Sequence, residues 1–113
     1  MDETIRQAHE RLSAAFQEIG YPLAPTTGVI QGVTVHDRQG RYLFAWHTHP
    51  HHLLFYIRQP ALDAQSTLRQ KAIARHPADQ VTRNPGKETT ITLNSDEEAQ
   101  TLLGWLMPVL PLP

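Results

Sequence analysis

The chain has 113 residues, enough for one hydrophobic core and too few for two. Hydrophobic residues at 40% and charged residues at 19% are ordinary globular values, and a net charge of −1 argues against general attraction to nucleic acid or membrane surfaces. The absence of cysteine excludes a disulfide framework, a thiolate nucleophile and an iron–sulfur cluster, and no window reaches the roughly 18–20 apolar residues that a bilayer span needs.

Ile5, Ala8, Leu12, Ala15 or Phe16, and Ile19 recur at three- and four-residue spacing, with Arg6, Gln7, Glu10, Arg11, Gln17 and Glu18 around the rest of the wheel. That periodicity predicts an amphipathic helix. Asp2 or Thr4 can cap its start, and Gly20 offers a left-handed stop. Pro22, Pro25 and Gly28 then read as a rigid connection.

Three strands are expected next. Residues 29–36 alternate, Asp37-Arg38-Gln39-Gly40 has the composition of a four-residue turn, and residues 41–48 return. A second turn falls around His49-Pro50-His51, and residues 52–58 run out again. Pro60 ends that strand and can open a helix. Pairing His36 with Arg41 sets Thr34 against Leu43, Gly32 against Ala45 and Ile30 against His47. A two-residue second loop sets His49 against His52 and His47 against Leu54. Side chains alternate along a strand, so one face then collects Val29, Val33, Val35, Tyr42, Phe44, Trp46, Leu53, Phe55 and Ile57. This is the expected core face. The reverse face receives His36, Arg41, His47, His49, His52, Tyr56 and Arg58, with Ile30, Gly32, Thr34, Leu43, Ala45 and Leu54 between them. A one-residue slip would exchange the faces and expose the aromatics, which the energy of burial forbids.

Residues 61–76 predict a second helix through Ala61, Ala64, Leu68 and Ala72, with Leu62 and Ile73 beside them, stopped by Pro77. Val81-Thr82-Arg83, then Asn84-Pro85-Gly86, then 87–93 reads as a short strand, a turn and a Thr-rich strand. Ser95 followed by Glu98 is a capping-box pattern for a last helix, with Ala99, Leu102, Leu103, Leu106 and Met107 on its buried face. Pro108, Pro111 and Pro113 stop it, so residues 108–113 are expected to form an extended tail. Residues 1–113 together predict one small α+β domain: helix, three-stranded antiparallel meander, helix, a further strand or hairpin, and a closing helix.

Charge is uneven along the chain. Arg58, Arg69, Lys71, Arg75, Arg83 and Lys87 face only Asp63 and Asp79 within 58–87, whereas Glu88, Asp96, Glu97 and Glu98 are the only charges after it. Scattered solvated residues are the plain explanation, and Arg69 and Arg75 read as solvated helix positions. Mutual neutralisation of the two blocks is the other.

Four of the seven histidines lie at 47, 49, 51 and 52. His47, His49 and His52 share a strand face and supply the imidazoles that zinc, copper or nickel bind, which makes a transition-metal-binding protein or a small metal-dependent enzyme one alternative. Pro50 distorts the turn, no carboxylate lies within the cluster and no framed metal motif is present. Tyr56, Arg41, Arg58 and the imidazoles also suit a nucleotide or single-stranded nucleic acid, although no RNP-type aromatic motif exists. Ser13, Ser66 and Ser95 are explained by helix and cap positions, and no nucleophile elbow or phosphate loop occurs, so catalysis is not expected. The leading expectation is a non-catalytic binding or accessory domain without a cofactor, acting through His47, His49, His52, Tyr56, Arg58 and Arg41. Its expected partner is a second copy of the chain or a larger protein, not nucleic acid or a membrane. Imidazoles on such a face titrate near neutrality, which would make the association pH-sensitive. The opening MDETIRQAHE lacks a cationic-then-apolar leader pattern, so a cytoplasmic location is expected.

Overall fold

Asp2 accepts the Thr4 backbone N–H on Oδ1 at 3.1 Å and starts α1 (Glu3–Glu18), as its capping chemistry predicts. The structure, a computed structural model, describes residues 2–26, 31–83 and 88–112. Ile5, Ala8, Leu12 and Phe16 form the buried stripe of α1, and Gly20 takes a positive φ of 84° beyond its end.

The chain then builds β1 (Leu23–Pro25), β2 (Gly32–His36), β3 (Tyr42–Thr48) and β4 (Leu53–Ile57), followed by α2 (Gln59–Ala64) and α3 (Leu68–Arg75). A 3-10 turn at Ala78–Gln80 leads into β5 (Val81–Arg83) and β6 (Thr89–Leu93), and α4 (Asp96–Leu106) closes the fold. The six strands form one sheet in the order β1-β2-β3-β4-β6-β5, with every neighbouring pair antiparallel. The architecture is α+β, as expected from the sequence.

The core lies between the sheet and the helices. Val35, Phe44, Trp46, Leu53, Phe55, Ile57, Ile91 and Leu93 join Ile5, Ala8, Leu12 and Phe16 of α1, Leu68 and Ala72 of α3, and Ala99, Leu102 and Leu106 of α4 in one cluster. Phe16 is its hub, with ring centroids 5.4 Å from Phe44, 5.9 Å from Trp46 and 6.3 Å from Phe55. Phe44, Trp46 and Phe55, assigned to the core from alternation, are therefore inside, and the described helices stand on one side of the sheet.

Several expectations need correction. The connection after α1 contains a strand: β1 pairs with β2, setting Leu23 against Val35 and Pro25 against Val33. Proline is tolerated there because β1 is an edge strand. The meander thus has four strands. In the first hairpin, Gly32 opposes His47 and Thr34 opposes Ala45, two positions from the predicted register. An even shift leaves every side chain on its predicted face. The exceptions lie at a bulge. Val35 opposes Phe44 but His36 opposes Tyr42, which leaves Leu43 unpaired on that side. Leu43 enters the core with 0% exposure, and Tyr42, expected inside, turns to the reverse face beside Arg58.

The helix predicted over 61–76 is two helices. Gln65 takes φ −141° and ψ 93°, and the polar Gln65-Ser66-Thr67 segment interrupts the helix, with Thr67 Oγ1 donating to Gln65 Oε1 at 3.2 Å. Trp105, which is absent from the expected buried face, is buried on α4, while Leu103 and Met107 are only partly covered. Arg69 is not merely solvated; its Nε donates to Thr89 Oγ1 at 3.1 Å and ties α3 to β6. The tail is not extended: Met107–Val109 forms a 3-10 turn, and Leu112 packs on the core and donates its N–H to the Tyr21 hydroxyl at 3.1 Å. Val29 and Ile30 of the predicted first strand, the Asn84-Pro85-Gly86 turn, Lys87 and Pro113 lie outside the described residues.

Candidate functional site

The face of the sheet away from the helices carries Thr34, His36, Ala45, His47, Leu54, Tyr56, Thr90 and Thr92, set there by strand alternation. Tyr42 joins them through the bulge. In β3 and β4 the pairs Ala45–Tyr56 and His47–Leu54 lie directly opposite one another. Tyr42, Ala45, His47, Tyr56, Arg58 and Glu88 enclose a shallow concavity of about 320 Å³.

Each side chain there has a defined support. The Arg58 guanidinium lies over the Tyr42 ring, 3.8 Å from its centroid, a cation–π contact that orients both groups. The His36 ring also packs on Tyr42, 5.1 Å away between centroids. The His47 ring meets Tyr56 edge-on at 5.2 Å. Gly32 makes room for His47: a Cβ at Gly32 would collide with the Trp46 carbonyl oxygen and the His47 ring. Ala45, only 2% exposed, forms the floor.

Burial raises the phenol pKa of Tyr42, with Arg58 pulling it back and Glu88 adding to the rise. Burial also raises that of Tyr56, helped by Glu88 and by Tyr42. Both hydroxyls therefore stay protonated at neutral pH and are available to donate hydrogen bonds. Arg58 supplies a cation, Glu88 an anion and His47 an imidazole. The set thus offers two hydroxyl donors, one charge of each sign and an imidazole around one concavity.

The other predicted site residues divide. His49 and His52 stack at 4.6 Å with their planes 8° apart at the end of the second hairpin, where the His49 N–H bonds the His52 carbonyl. The predicted two-residue loop is thus observed. Burial, and then the neighbouring His49 and His51, push the His52 pKa below the usual 6.5. His51 is exposed and 3.9 Å from the Asp2 carboxylate. Arg41, expected on the histidine face, is held at the first turn, where its Nε donates to Asp37 Oδ2 at 2.6 Å. Among the described residues no group of three or more His, Cys, Asp or Glu side chains is arranged to hold a metal ion. Among the described residues the basic and acidic blocks form no ion pair with each other, and Asp96 is bound instead by Arg11 of α1, at 2.6 Å.

Tyr42 and Glu88 belong to the concavity and were not anticipated there. Tyr42 is hidden by the bulge, which breaks strict alternation. A tyrosine beside a turn, with one apolar and one wet end, was the available hint. Glu88 was submerged in the count of acidic residues.

No helix among the described residues is long and apolar enough to cross a membrane. Comparison with protein-family models, with curated proteins and with solved structures finds no match.

Proposed function

We propose that the chain is a non-catalytic binding or accessory domain that self-associates through its histidine-bearing sheet face, two copies meeting about a two-fold axis. One observation supports this reading above the rest. The buried residues of the helices all join the core on one side of the sheet, and on the other side no described helix overlies Ala45, Leu54, Tyr42 and Tyr56. Antiparallel sheets often leave one face to water, but such faces are usually polar throughout. Here Ala45, Leu54 and the rings of Tyr42 and Tyr56 adjoin His36, His47, Arg58 and Glu88. Apolar and aromatic surface beside a few polar groups suits an interface, and tyrosine and arginine are residue types enriched at such contacts.

Sedimentation velocity on the untagged chain, with and without zinc, tests the proposal. A dimer is expected in both conditions, with Leu54→Arg and Tyr56→Glu monomeric and unchanged in circular dichroism. A chain that stays monomeric into the high-micromolar range overturns it. So does a dimer that forms only with zinc and is lost in His47→Ala, since the imidazoles would then act as metal ligands.

A further inference from the structure

A second concavity lies away from the open sheet face, where the end of α1, the turn between β2 and β3 and the folded-back tail converge. Its volume is about 400 Å³, within the range of small-molecule sites. Ile19, Tyr21 and Leu112 give it apolar walls; Tyr21 is 4% and Leu112 8% exposed. The hydrogen bond from the Leu112 N–H to the Tyr21 hydroxyl fastens the tail as one of those walls.

Three charged side chains line the same space: Asp37, Arg38 and Arg41. The Asp37 carboxylate is fully engaged. Its Oδ1 accepts the backbone N–H groups of Gln39 and Arg41 at 2.9 and 2.8 Å, and its Oδ2 accepts Arg41 Nε at 2.6 Å. Asp37 and Arg41 are thus bound to each other. Arg38 remains: it is exposed and has no ion-pair partner among the described residues. Its guanidinium rests on Gly20, where even a Cβ would come within 2.7 Å of Nη2. A glycine with positive φ thus leaves room for the cation beside an apolar hollow.

An apolar wall beside a guanidinium that no described residue pairs selects a specific chemistry. A neutral hydrocarbon would leave the guanidinium unused, and a cation would be repelled. A carboxylate suits the planar donor fork of arginine, which binds it through paired N–H groups. We propose that this hollow binds a small carboxylate with an apolar body, its anionic end on Arg38 and its body against Ile19, Tyr21 and Leu112. The site is independent of self-association through the sheet face.

Two-dimensional amide NMR of the full chain, titrated in parallel with octanoate and with octan-1-ol, tests this. Octanoate is expected to shift the amides of Ile19, Tyr21, Gln39 and Leu112 in a saturable way, and octanol to bind about two- to fivefold more weakly, the factor that one solvent-exposed ion pair supplies. Arg38→Gln should bring octanoate down to the affinity of octanol while leaving octanol binding unchanged, which also shows that the hollow is intact. The proposal is overturned by the absence of saturable shifts, by shifts centred elsewhere, by equal affinity for acid and alcohol, or by an Arg38→Gln variant that still prefers the acid.

Discussion

Both tryptophans of the chain donate their indole N–H to an imidazole: Trp46 to His9 Nδ1 and Trp105 to His76 Nε2, each at 3.0 Å. A buried indole N–H without an acceptor costs about 1–3 kcal/mol, so these histidines hold the two largest rings of the protein in place. His76 is 4% exposed, and burial lowers its pKa below 6.5, with Glu98 opposing the shift weakly. Only the neutral imidazole accepts from Trp105. Because the folded value lies below the unfolded one, the unfolded chain takes up the proton first as the solution is acidified. The contribution of His76 to stability is therefore complete above pH 6.5 and is lost as pH falls through the depressed folded value. Thermal unfolding followed between neutral pH and pH 5 should show a falling midpoint. His52, also lowered, acts in the same direction. The variant His76→Phe should be less stable at neutral pH and show a shallower acid decline; an acid limb as steep as that of the parent would remove His76 from the account. Gly32 provides a second prediction at this scale. Gly32→Ala would press a methyl group on the Trp46 carbonyl and the His47 ring, so it should cost about 1–3 kcal/mol in urea unfolding and move the His47 ring resonances. A neutral effect would mean that the strands separate there at little cost.

At the scale of elements, Ser95 and Glu98 show how a local signal becomes a joint. Ser95 Oγ accepts the Glu98 N–H at 3.2 Å, and Glu98 in turn accepts the Asn94 N–H at 2.6 Å and the side-chain amide of Gln80. The cap thus fixes the start of α4 and also ties it to the 3-10 turn before β5. Ser95→Ala should cost about 1 kcal/mol, the usual penalty for losing a cap, measured by thermal or urea unfolding. A cost several times larger would show that Glu98 and Gln80 are displaced as well. This pattern was legible in the sequence because its donors and acceptors are close along the chain. The same holds for α1, whose apolar spacing follows the helical period, and for β3 and β4, where burying Phe44, Trp46, Phe55 and Ile57 leaves one choice of face. What was not legible depended on distant partners. Nothing local marks Leu23–Pro25 as a strand, since it is three residues long and gains its bonds from β2. The exchange of Tyr42 and Leu43 requires the bulge, whose position is decided by how β3 fits β2. The concavity on the open face was half visible for that reason: His47, Tyr56 and Arg58 follow from alternation, but Tyr42 does not.

Two kinds of contact join the helical layer to the sheet and to itself, and their sizes differ. The Arg11–Asp96 pair bridges α1 and α4 with two short hydrogen bonds, and Arg11 holds the Asp96 carboxyl below its usual pKa. Arg11 is 44% exposed, so water and salt screen the pair in part and its contribution to folding is modest. Phe16 is different. It is 0% exposed and packs against Phe44, Trp46 and Phe55 of the sheet and against Tyr21, which itself anchors the tail. Truncation of a buried phenylalanine costs about 3–5 kcal/mol, a large part of the 5–15 kcal/mol that holds a domain of this size together. Phe16→Ala is therefore expected to lower the urea midpoint steeply and to loosen the tail, seen as faster amide exchange at Leu112. Arg11→Ala should shift the midpoint far less, and increasingly little as salt is raised. If the two variants lost comparable stability in moderate salt, the ion pair would be holding the layers together to a degree that its exposure does not allow, and the aromatic hub would lose its central place in the fold.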